Sequence, residues 1–195
     1  MDILSETQQD YSEEQFARLS LTGQTVTGKT FEKCTFDKCS FVECRFDHCT
    51  FVDCMFTASM VSAIDVKTAT FLETTLQDSK IMGMEWSKAA KVRGLRFEKC
   101  DLQLCGFSFL KLKHFVLKDS KAVECNFMES DCTDADFSGT DLDKCIFQRT
   151  NLTSANFRKA FNYAIDFKNN TLKKTKFSLP EASSLLGGLD IVLER

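Results

Sequence analysis

Residues 31–56 read FEKCTFDKCSFVECRFDHCTFVDCMF, in which Phe recurs at every fifth position and Cys stands two residues before each following Phe. The pattern extends in both directions. From Tyr11 to Trp86 every fifth residue is apolar or aromatic, and after a one-residue shift the series resumes at Val92 and continues to Phe177. A period of five matches neither an amphipathic helix nor an alternating strand. Each five-residue unit must therefore form one short wall and then turn.

The composition reflects the same repeat. Phe occurs 19 times, against one Trp, two Tyr and one Pro, and all but Phe109, Phe115 and Phe161 fall in the five-residue register. Nine of the 10 Cys occupy the position two residues before a repeat centre, Cys132 being the exception. We expect both positions to face inward, with Asn162 as the single polar centre.

The repeat resembles that of the pentapeptide-repeat proteins, whose consensus is a small residue, Asp or Asn, Leu or Phe, and two polar residues. Residues 135–139 (ADFSG) and 155–159 (ANFRK) match it as they stand. The resemblance implies an all-β fold, a right-handed quadrilateral β-helix of about eight coils spanning residues 11–177, with residues 1–10 as an N-terminal cap.

Four units of five residues make a coil of 20, so residues 20 apart should stack in columns. The expected columns are Phe31, Phe51 and Phe71; Phe107, Phe127, Phe147 and Phe167; Phe137, Phe157 and Phe177; and Cys105, Cys125 and Cys145. At about 4.8 Å between hydrogen-bonded strands, the coils would form a rod roughly 40 Å long. Each coil of such a rod is stabilised by its neighbours, so its open ends need caps.

The C-terminal segment, residues 178–195, differs from the repeat. Ser178 and Glu181 fit a capping box before a helix over Leu179–Leu186, Gly187 and Gly188 should end that helix, and residues 189–193 alternate like a strand. The ending resembles that of the Qnr-type and albicidin-resistance pentapeptide-repeat proteins, which implies a two-fold homodimer through this segment. The predicted interface consists of Leu185, Leu186, Leu189, Ile191 and Leu193. A monomeric cap is the alternative.

The repeat centres Trp86 and Val92 are six residues apart, so residues 87–91 hold one extra residue. One interpretation is a tolerated bulge at a corner. The other is a partner-binding site that includes Ser87, Lys88 and Lys91, because Qnr-type proteins carry functional loops in this region. The long loops of those proteins are missing here.

Charge is unevenly distributed along the repeat. Residues 129–143 contain six acidic residues and no Lys or Arg, whereas the charged residues of 158–176 are all basic except Asp166. The acidic residues are Glu129, Asp131, Asp134, Asp136, Asp141 and Asp143. They are either ordinary solvated turn residues or an acidic wall that imitates DNA toward a positively charged groove. The net charge of −3 does not indicate a basic patch, so we expect no direct contact with nucleic acid.

The sequence indicates no catalytic, metal or cofactor site. Cysteines at every fifth residue would point inward from successive walls rather than converge on a zinc ion. We therefore interpret them as small buried apolar residues. His48 and His114 occupy positions that should face solvent, without an implied nucleophile or carboxylate beside them. An enzyme is therefore not expected.

The function implied by the resemblance is binding of DNA gyrase or topoisomerase IV, with protection from quinolones or natural gyrase poisons. A general protein-interaction scaffold is the alternative. The N-terminus does not read as a secretory signal, and no apolar run approaches the roughly 20 residues of a membrane span. We therefore expect a cytoplasmic protein with reduced cysteines.

Overall fold

The computed structural model describes residues 8–189 and 191 of the chain. Its regular structure consists of short strands and two 3-10 helices, η1 (Trp86–Lys88) and η2 (Glu181–Gly188). The first strands are β1 (Asp10–Ser12), β2 (Gln15–Ala17), β3 (Ser20–Thr22), β4 (Thr25–Thr27), β5 (Thr30–Glu32), β6 (Thr35–Asp37), β7 (Ser40–Val42), β8 (Arg45–Asp47), β9 (Thr50–Val52), β10 (Met55–Thr57) and β11 (Met60–Ser62). The others are β12 (Thr70–Leu72), β13 (Thr75–Gln77), β14 (Lys80–Met82), β15 (Lys91–Arg93), β16 (Arg96–Glu98), β17 (Asp101–Gln103), β18 (Val116–Lys118), β19 (Lys121–Val123), β20 (Asn156–Phe157) and β21 (Lys176–Phe177).

The strands form the four faces of a parallel solenoid of about eight coils, as predicted for a pentapeptide-repeat β-helix. The first face has the order β1-β5-β9-β12-β15, the second β2-β6-β10-β13-β16-β18, and the third β3-β7-β11-β14-β17-β19. The fourth face starts with β4 and β8, and single bridges continue every face toward the C-terminus. Partners lie one coil apart, so that Phe31 is opposite Phe51.

The corners between faces use left-handed backbone. The residue two after a repeat centre has a positive φ in most units, including non-glycine residues such as His48 (φ 53°) and Phe109 (φ 64°). This conformation is uncommon for residues with a side chain. Here the ladder of hydrogen bonds between coils, such as Glu129 N–H to Gln148 O at 2.9 Å, holds it in place. Each corner turns the chain onto the next face.

The interior is filled by stacked rings. The centroids of Phe31 and Phe51 are 5.0 Å apart, those of Phe51 and Phe71 5.0 Å, and those of Phe137 and Phe157 4.8 Å. The repeat centres are almost all buried, and offset-stacked rings at such distances stabilise beyond the area they bury. The predicted columns are therefore confirmed up to the last complete coil.

The second inward position has a hydrogen-bonding role that the sequence pattern did not indicate. Its side chain donates to the carbonyl of a repeat centre one coil earlier, as in Cys39 Sγ to Phe16 O (3.2 Å) and Ser59 Oγ to Phe36 O (3.1 Å). Thr140 Oγ1 does the same to Leu117 O at 2.7 Å. Cys, Ser and Thr alternate there because each is small and carries a donor. The bias toward Cys thus serves packing and hydrogen bonding together.

The last coil departs from the predicted register. Asn162 is exposed with a φ of 57°, and Tyr163 takes the inward place, 5.8 Å from the ring of Phe157. Ile165 then bridges to Phe147, and Phe167 is 37% exposed. The prediction of Phe167 as a stacked centre is wrong. An Asn amide has no partner in an apolar interior but tolerates the left-handed conformation, so the chain turns early at Asn162.

The C-terminal segment also differs from its prediction. Pro180, not Ser178, precedes η2, and no side chain caps this helix. Ser178 Oγ instead accepts a hydrogen bond from Lys159 N–H (3.1 Å), so the capping box is wrong. Helix η2 includes Gly187 and Gly188, which were expected to end it. Most of the predicted strand, with Leu193, lies outside the described residues, as do residues 1–7 of the N-terminal cap.

Within the described part of the chain, no helix has the length and apolar character required to cross a membrane.

Candidate interaction surfaces

The acidic residues of 129–143 encircle one coil. Asp131 bridges to Lys111 on the first face, Asp136 to Val116 on the second, and Asp141 to Lys121 on the third. Asp134 lies at the left-handed corner after the first face, and Glu129 at the corner after the fourth. We call these five residues, with Asp143, the acidic ring. It replaces the flat acidic wall that the sequence suggested, because neighbours in the sequence point to different faces.

The ring carboxylates on the faces are held by hydrogen bonds. Asp131 Oδ1 accepts from Asn151 Nδ2 (3.1 Å) in the next coil and from Thr133 N–H (3.2 Å) in its own turn. Asp136 Oδ1 similarly accepts from Asn156 Nδ2 (3.0 Å), and Asp141 Oδ1 from Asn162 Nδ2 (2.8 Å). These contacts fix the carboxylates, and Asp131 is also close to a cation, with Lys113 Nζ 3.8 Å from its Oδ2.

The remaining ring members differ in their surroundings. Glu129 Oε1 accepts a hydrogen bond from Arg149 Nε (2.9 Å) one coil away. Asp134 and Asp143 make no ion pair with any residue in 8–189 or 191. The ring therefore keeps most of its negative charge available at the surface.

The six-residue spacing between Trp86 and Val92 is accommodated by η1. Ala89 N–H donates to Trp86 O (3.1 Å), and Ala90 N–H to Ala69 O (2.9 Å). Strand β15 then pairs with β12 so that Thr70 is opposite Lys91, 21 residues on. Ser87 is half-buried with its hydroxyl 3.4 Å from Glu85 Oε2, while Lys88 is exposed on a shallow groove beside Asp65 and Glu85. Lys91 is exposed at the start of β15.

A depression of about 450 Å³ lies between the fifth and sixth coils, where the first face meets the second. Its lining comprises Glu73, Arg93, Gly94, Arg96, Lys111, Lys113 and His114. We call the four cations of this lining, together with Lys91, which precedes Lys111 by 20 residues, the basic cluster: Lys91, Arg93, Arg96, Lys111 and Lys113. The net charge of −3 did not indicate this cluster. Residues 20 apart, such as Arg93 and Lys113, would have indicated the cluster had columns been traced on the outer positions as well.

Comparison with known proteins assigns the family. A model described as "Pentapeptide repeat region" matches residues 24–90, and one described as "Pentapeptide repeats (8 copies)" matches residues 130–161, together just over half of the chain. The chain belongs to the pentapeptide-repeat family. No curated protein compared with it gives a significant match.

Several solved pentapeptide-repeat structures are similar to it. HetL, involved in heterocyst differentiation regulation in the cyanobacterium Nostoc sp. strain PCC 7120, is 13% identical over 87% of each chain, with a TM-score of 0.48. Full-length QnrB1, a plasmid-mediated fluoroquinolone resistance protein, is 17% identical over 91% of this chain and 100% of its own, with a TM-score of 0.40. Similarity at this level does not extend to a shared partner.

The thiols of this pentapeptide-repeat protein are inside the coils. All ten cysteines are free and buried. Burial raises the pKa of Cys54 and of Cys132 to about 12 and that of Cys100 to about 11, from an ordinary value of 9.0. Among residues 8–189 and 191, no group of three or more Cys, His, Asp or Glu side chains converges as a metal site.

Both histidines are exposed, as predicted from their corner positions. His48 Nδ1 lies 3.3 Å from Asp47 Oδ1, a carboxylate neighbour that the sequence did not suggest. A hydrogen bond from Thr68, with contributions from His48 and Arg45, holds the pKa of Asp47 below its usual value. The side chain of His48 is 72% exposed, so this pair is a surface contact.

The C-terminal segment leaves apolar side chains at the end of the rod. Leu186 is 38% exposed, Leu189 40% and Ile191 51%. Leu185 packs partly against the core.

Proposed function

We propose that this protein is a non-enzymatic, cytoplasmic binder of DNA gyrase or topoisomerase IV that protects the enzyme from quinolones or natural gyrase poisons. The Qnr-like features of its sequence suggest the partner, since a fold alone does not define one. The observation that carries the proposal is the acidic ring.

The ring is suited to a positively charged protein groove. Asp131, Asp136 and Asp141 are positioned by amides of the next coil, so little side-chain freedom would be lost on binding. Asp134 and Glu129 are exposed at the corners between them. Carboxylates on successive faces of a rod could occupy the places of DNA phosphates in a groove that surrounds more than one face.

A general protein-interaction scaffold is the second candidate. It is favoured by the position of the ring between the basic cluster and the basic residues of the last coils, which include Lys159, Lys173 and Lys174. A partner that contacts the acidic ring and both basic regions would need acidic and basic residues in a matching order. The binding experiment below separates the two candidates.

Binding should be measured by interferometry against immobilised gyrase and topoisomerase IV. Asp134→Asn with Asp143→Asn removes two ring charges that make no internal ion pair, and it should weaken binding at least about tenfold. The matched control is Asp53→Asn with Asp78→Asn, two exposed left-handed corner positions outside the ring. Equal loss in both variants, or no binding by the wild type, would reject the proposal and leave the scaffold candidate.

The η1 insertion is proposed as a second contact, through Ser87, Lys88 and Lys91. Deleting Ala89 restores the five-residue spacing and removes the extra residue after η1. The variant should stay folded by circular dichroism and bind the topoisomerase less tightly. Unchanged affinity would identify the insertion as a bulge without a binding role.

A homodimer through the C-terminal segment is the remaining part of the proposal. Pairing two copies would cover Leu186, Leu189 and Ile191, which are exposed in one copy. Light scattering should give twice the monomer mass, and Leu186→Glu should give the monomer mass. Leu179→Glu, at a residue 83% exposed in the same segment but outside the predicted interface, is the control. A wild-type monomer at all concentrations would contradict the dimer.

A further inference from the structure

The basic cluster combines paired and unpaired cations. Arg93 Nε lies 3.2 Å from Glu73 Oε1, and Lys113 Nζ lies 3.8 Å from Asp131 Oδ2. Lys91, Arg96 and Lys111 make no ion pair with any residue in 8–189 or 191. Lys144, by contrast, pairs with Glu124 one coil away (3.4 Å). Unpaired like charges on adjacent coils repel one another, so a bound anion would reduce this repulsion.

The backbone opens at the same place. The first-face sheet ends at β15, and the next bridge on that face joins Lys111 to Asp131. Within the described residues, no backbone hydrogen bond links 90–94 to 110–114, although equivalent segments are linked in the other coils. The backbone N–H groups of Gly94 and Lys111 therefore donate no hydrogen bond to any group in residues 8–189 or 191. Backbone N–H groups beside cations are a common way to bind phosphate oxygens.

Gly94 leaves room for the Glu73 carboxylate beside this opening. Its φ is 67°, and a Cβ at this position would collide with that carboxylate. Glu73 Oε1 also accepts a hydrogen bond from Arg93 Nε (3.2 Å). A side chain at residue 94 would crowd the only acidic group that lines the depression among the described residues.

We propose that the basic cluster binds the phosphodiester backbone of nucleic acid, with duplex DNA as the ligand. Two guanidinium groups suit the two oxygens of a phosphate, and three lysines extend the positive surface across two coils. An acidic protein is a poorer match because the depression presents no exposed aromatic or large aliphatic side chain as an anchor. This inference goes beyond the proposed function and does not depend on it.

The test is fluorescence anisotropy of a labelled 20-base-pair duplex at salt concentrations from 50 to 200 mM. If the five cations each neutralise one phosphate, the logarithm of affinity should fall with the logarithm of salt at a slope of about −4 to −5. Lys91→Gln, Arg96→Gln and Lys111→Gln together should reduce that slope by about three and weaken binding at least about tenfold at 50 mM. None of these three residues forms an ion pair with another described residue, so the variant should remain folded.

The matched control is Lys173→Gln, Lys174→Gln and Lys176→Gln, which removes the same charge from the last coils. The control should keep both affinity and slope within about twofold of the wild type. Three outcomes would overturn the proposal: no wild-type binding, equal loss in the control, or preferential binding of polyglutamate over DNA. Complete displacement of the duplex by millimolar inorganic phosphate at constant ionic strength would also overturn it, because the site would then hold a single free phosphate.

Discussion

The acidic ring and the basic cluster are built on the same ladder, little more than one coil apart, but their charges are treated differently. In the ring, Asn151 and Asn156 stack on Asp131 and Asp136 and donate hydrogen bonds to them. In the cluster, Lys91 and Lys111 occupy consecutive coils of one face with no hydrogen bond between their backbones. The difference shows that the repeat determines the inward residues but not the outward ones. In some outer columns the polar groups bond to one another, and in others they remain unpaired.

The interiors below the two surfaces should differ most in stability. Phe137 is fully buried below the ring and stacks on Phe157 at 4.8 Å, whereas Val92 below the cluster is only partly buried. Phe137→Ala should lower the free energy of unfolding by about 3–5 kcal/mol, and Val92→Ala by about 1 kcal/mol or less. Urea denaturation measures both. Equal losses would mean that the cluster is as tightly packed as the ring.

Thiol titration offers the next largest contrast, between Cys100 in the coil of the cluster and Cys132 in the coil of the ring. Burial raises the pKa of Cys100 to about 11 and of Cys132 to about 12, from 9.0. Below about pH 9 both thiols are protonated in the folded and unfolded chain. Above it only the unfolded chain ionises, so each thiol lowers stability by about 1.4 kcal/mol per pH unit until its folded pKa is reached.

The measurement is urea denaturation from pH 8 to pH 11 for the wild type, Cys100→Ala and Cys132→Ala. Each substitution should flatten the alkaline loss by about 2–3 kcal/mol between pH 9 and pH 11. Identical slopes in all three proteins would show that these thiols ionise freely in the folded state.

Polar contacts on the two surfaces provide a smaller contrast. Asn151 donates from Nδ2 to Asp131 Oδ1 (3.1 Å) and to Thr133 Oγ1 (3.0 Å), so Asn151→Ala should cost about 1–2 kcal/mol. Arg96→Ala should change stability by less than about 0.5 kcal/mol, since Arg96 forms no ion pair among the described residues. A loss of stability in Arg96→Ala as large as that in Asn151→Ala would show that Arg96 already makes stabilising contacts within the folded protein.

Charge reversal should give the smallest effects, with opposite signs. Lys91→Glu places a carboxylate one coil from Lys111 and should stabilise by about 0.5 kcal/mol at low salt. Arg149→Glu breaks the pair with Glu129 and should destabilise by a similar amount. Both effects should shrink in 1 M salt. If both substitutions changed the free energy of unfolding in the same direction, the two surfaces would not differ in how their charges are paired.

The inward columns could be predicted from the sequence because period and burial coincide there. Phe31, Phe51 and Phe71 stack as expected, and nearly every predicted centre is buried. The register failed after Asn162, where a single polar residue turned the chain early and moved Phe167 to the surface. Hydrophobic period carries no information on how such a break is repaired.

The surfaces were harder to predict because they depend on contacts between coils. The tail was misread because Ser178 bonds to Lys159 in the preceding coil instead of capping η2. The acidic residues looked like one wall because they are consecutive in the sequence, although each turn moves them to another face. The opening between β15 and Lys111 arises from backbone geometry that follows the insertion, and no residue type signals it.

Gyrase supercoiling in the presence of an inhibitor tests the central claim, that the acidic ring protects a type II topoisomerase. Relaxed plasmid, gyrase and a panel of one quinolone and one natural gyrase poison would be titrated with the wild-type protein and with Asp134→Asn/Asp143→Asn. The account predicts that the wild type restores supercoiling against at least one inhibitor and that the ring variant needs about ten times more protein for the same recovery. No recovery at any concentration, or equal recovery by the variant, would contradict it.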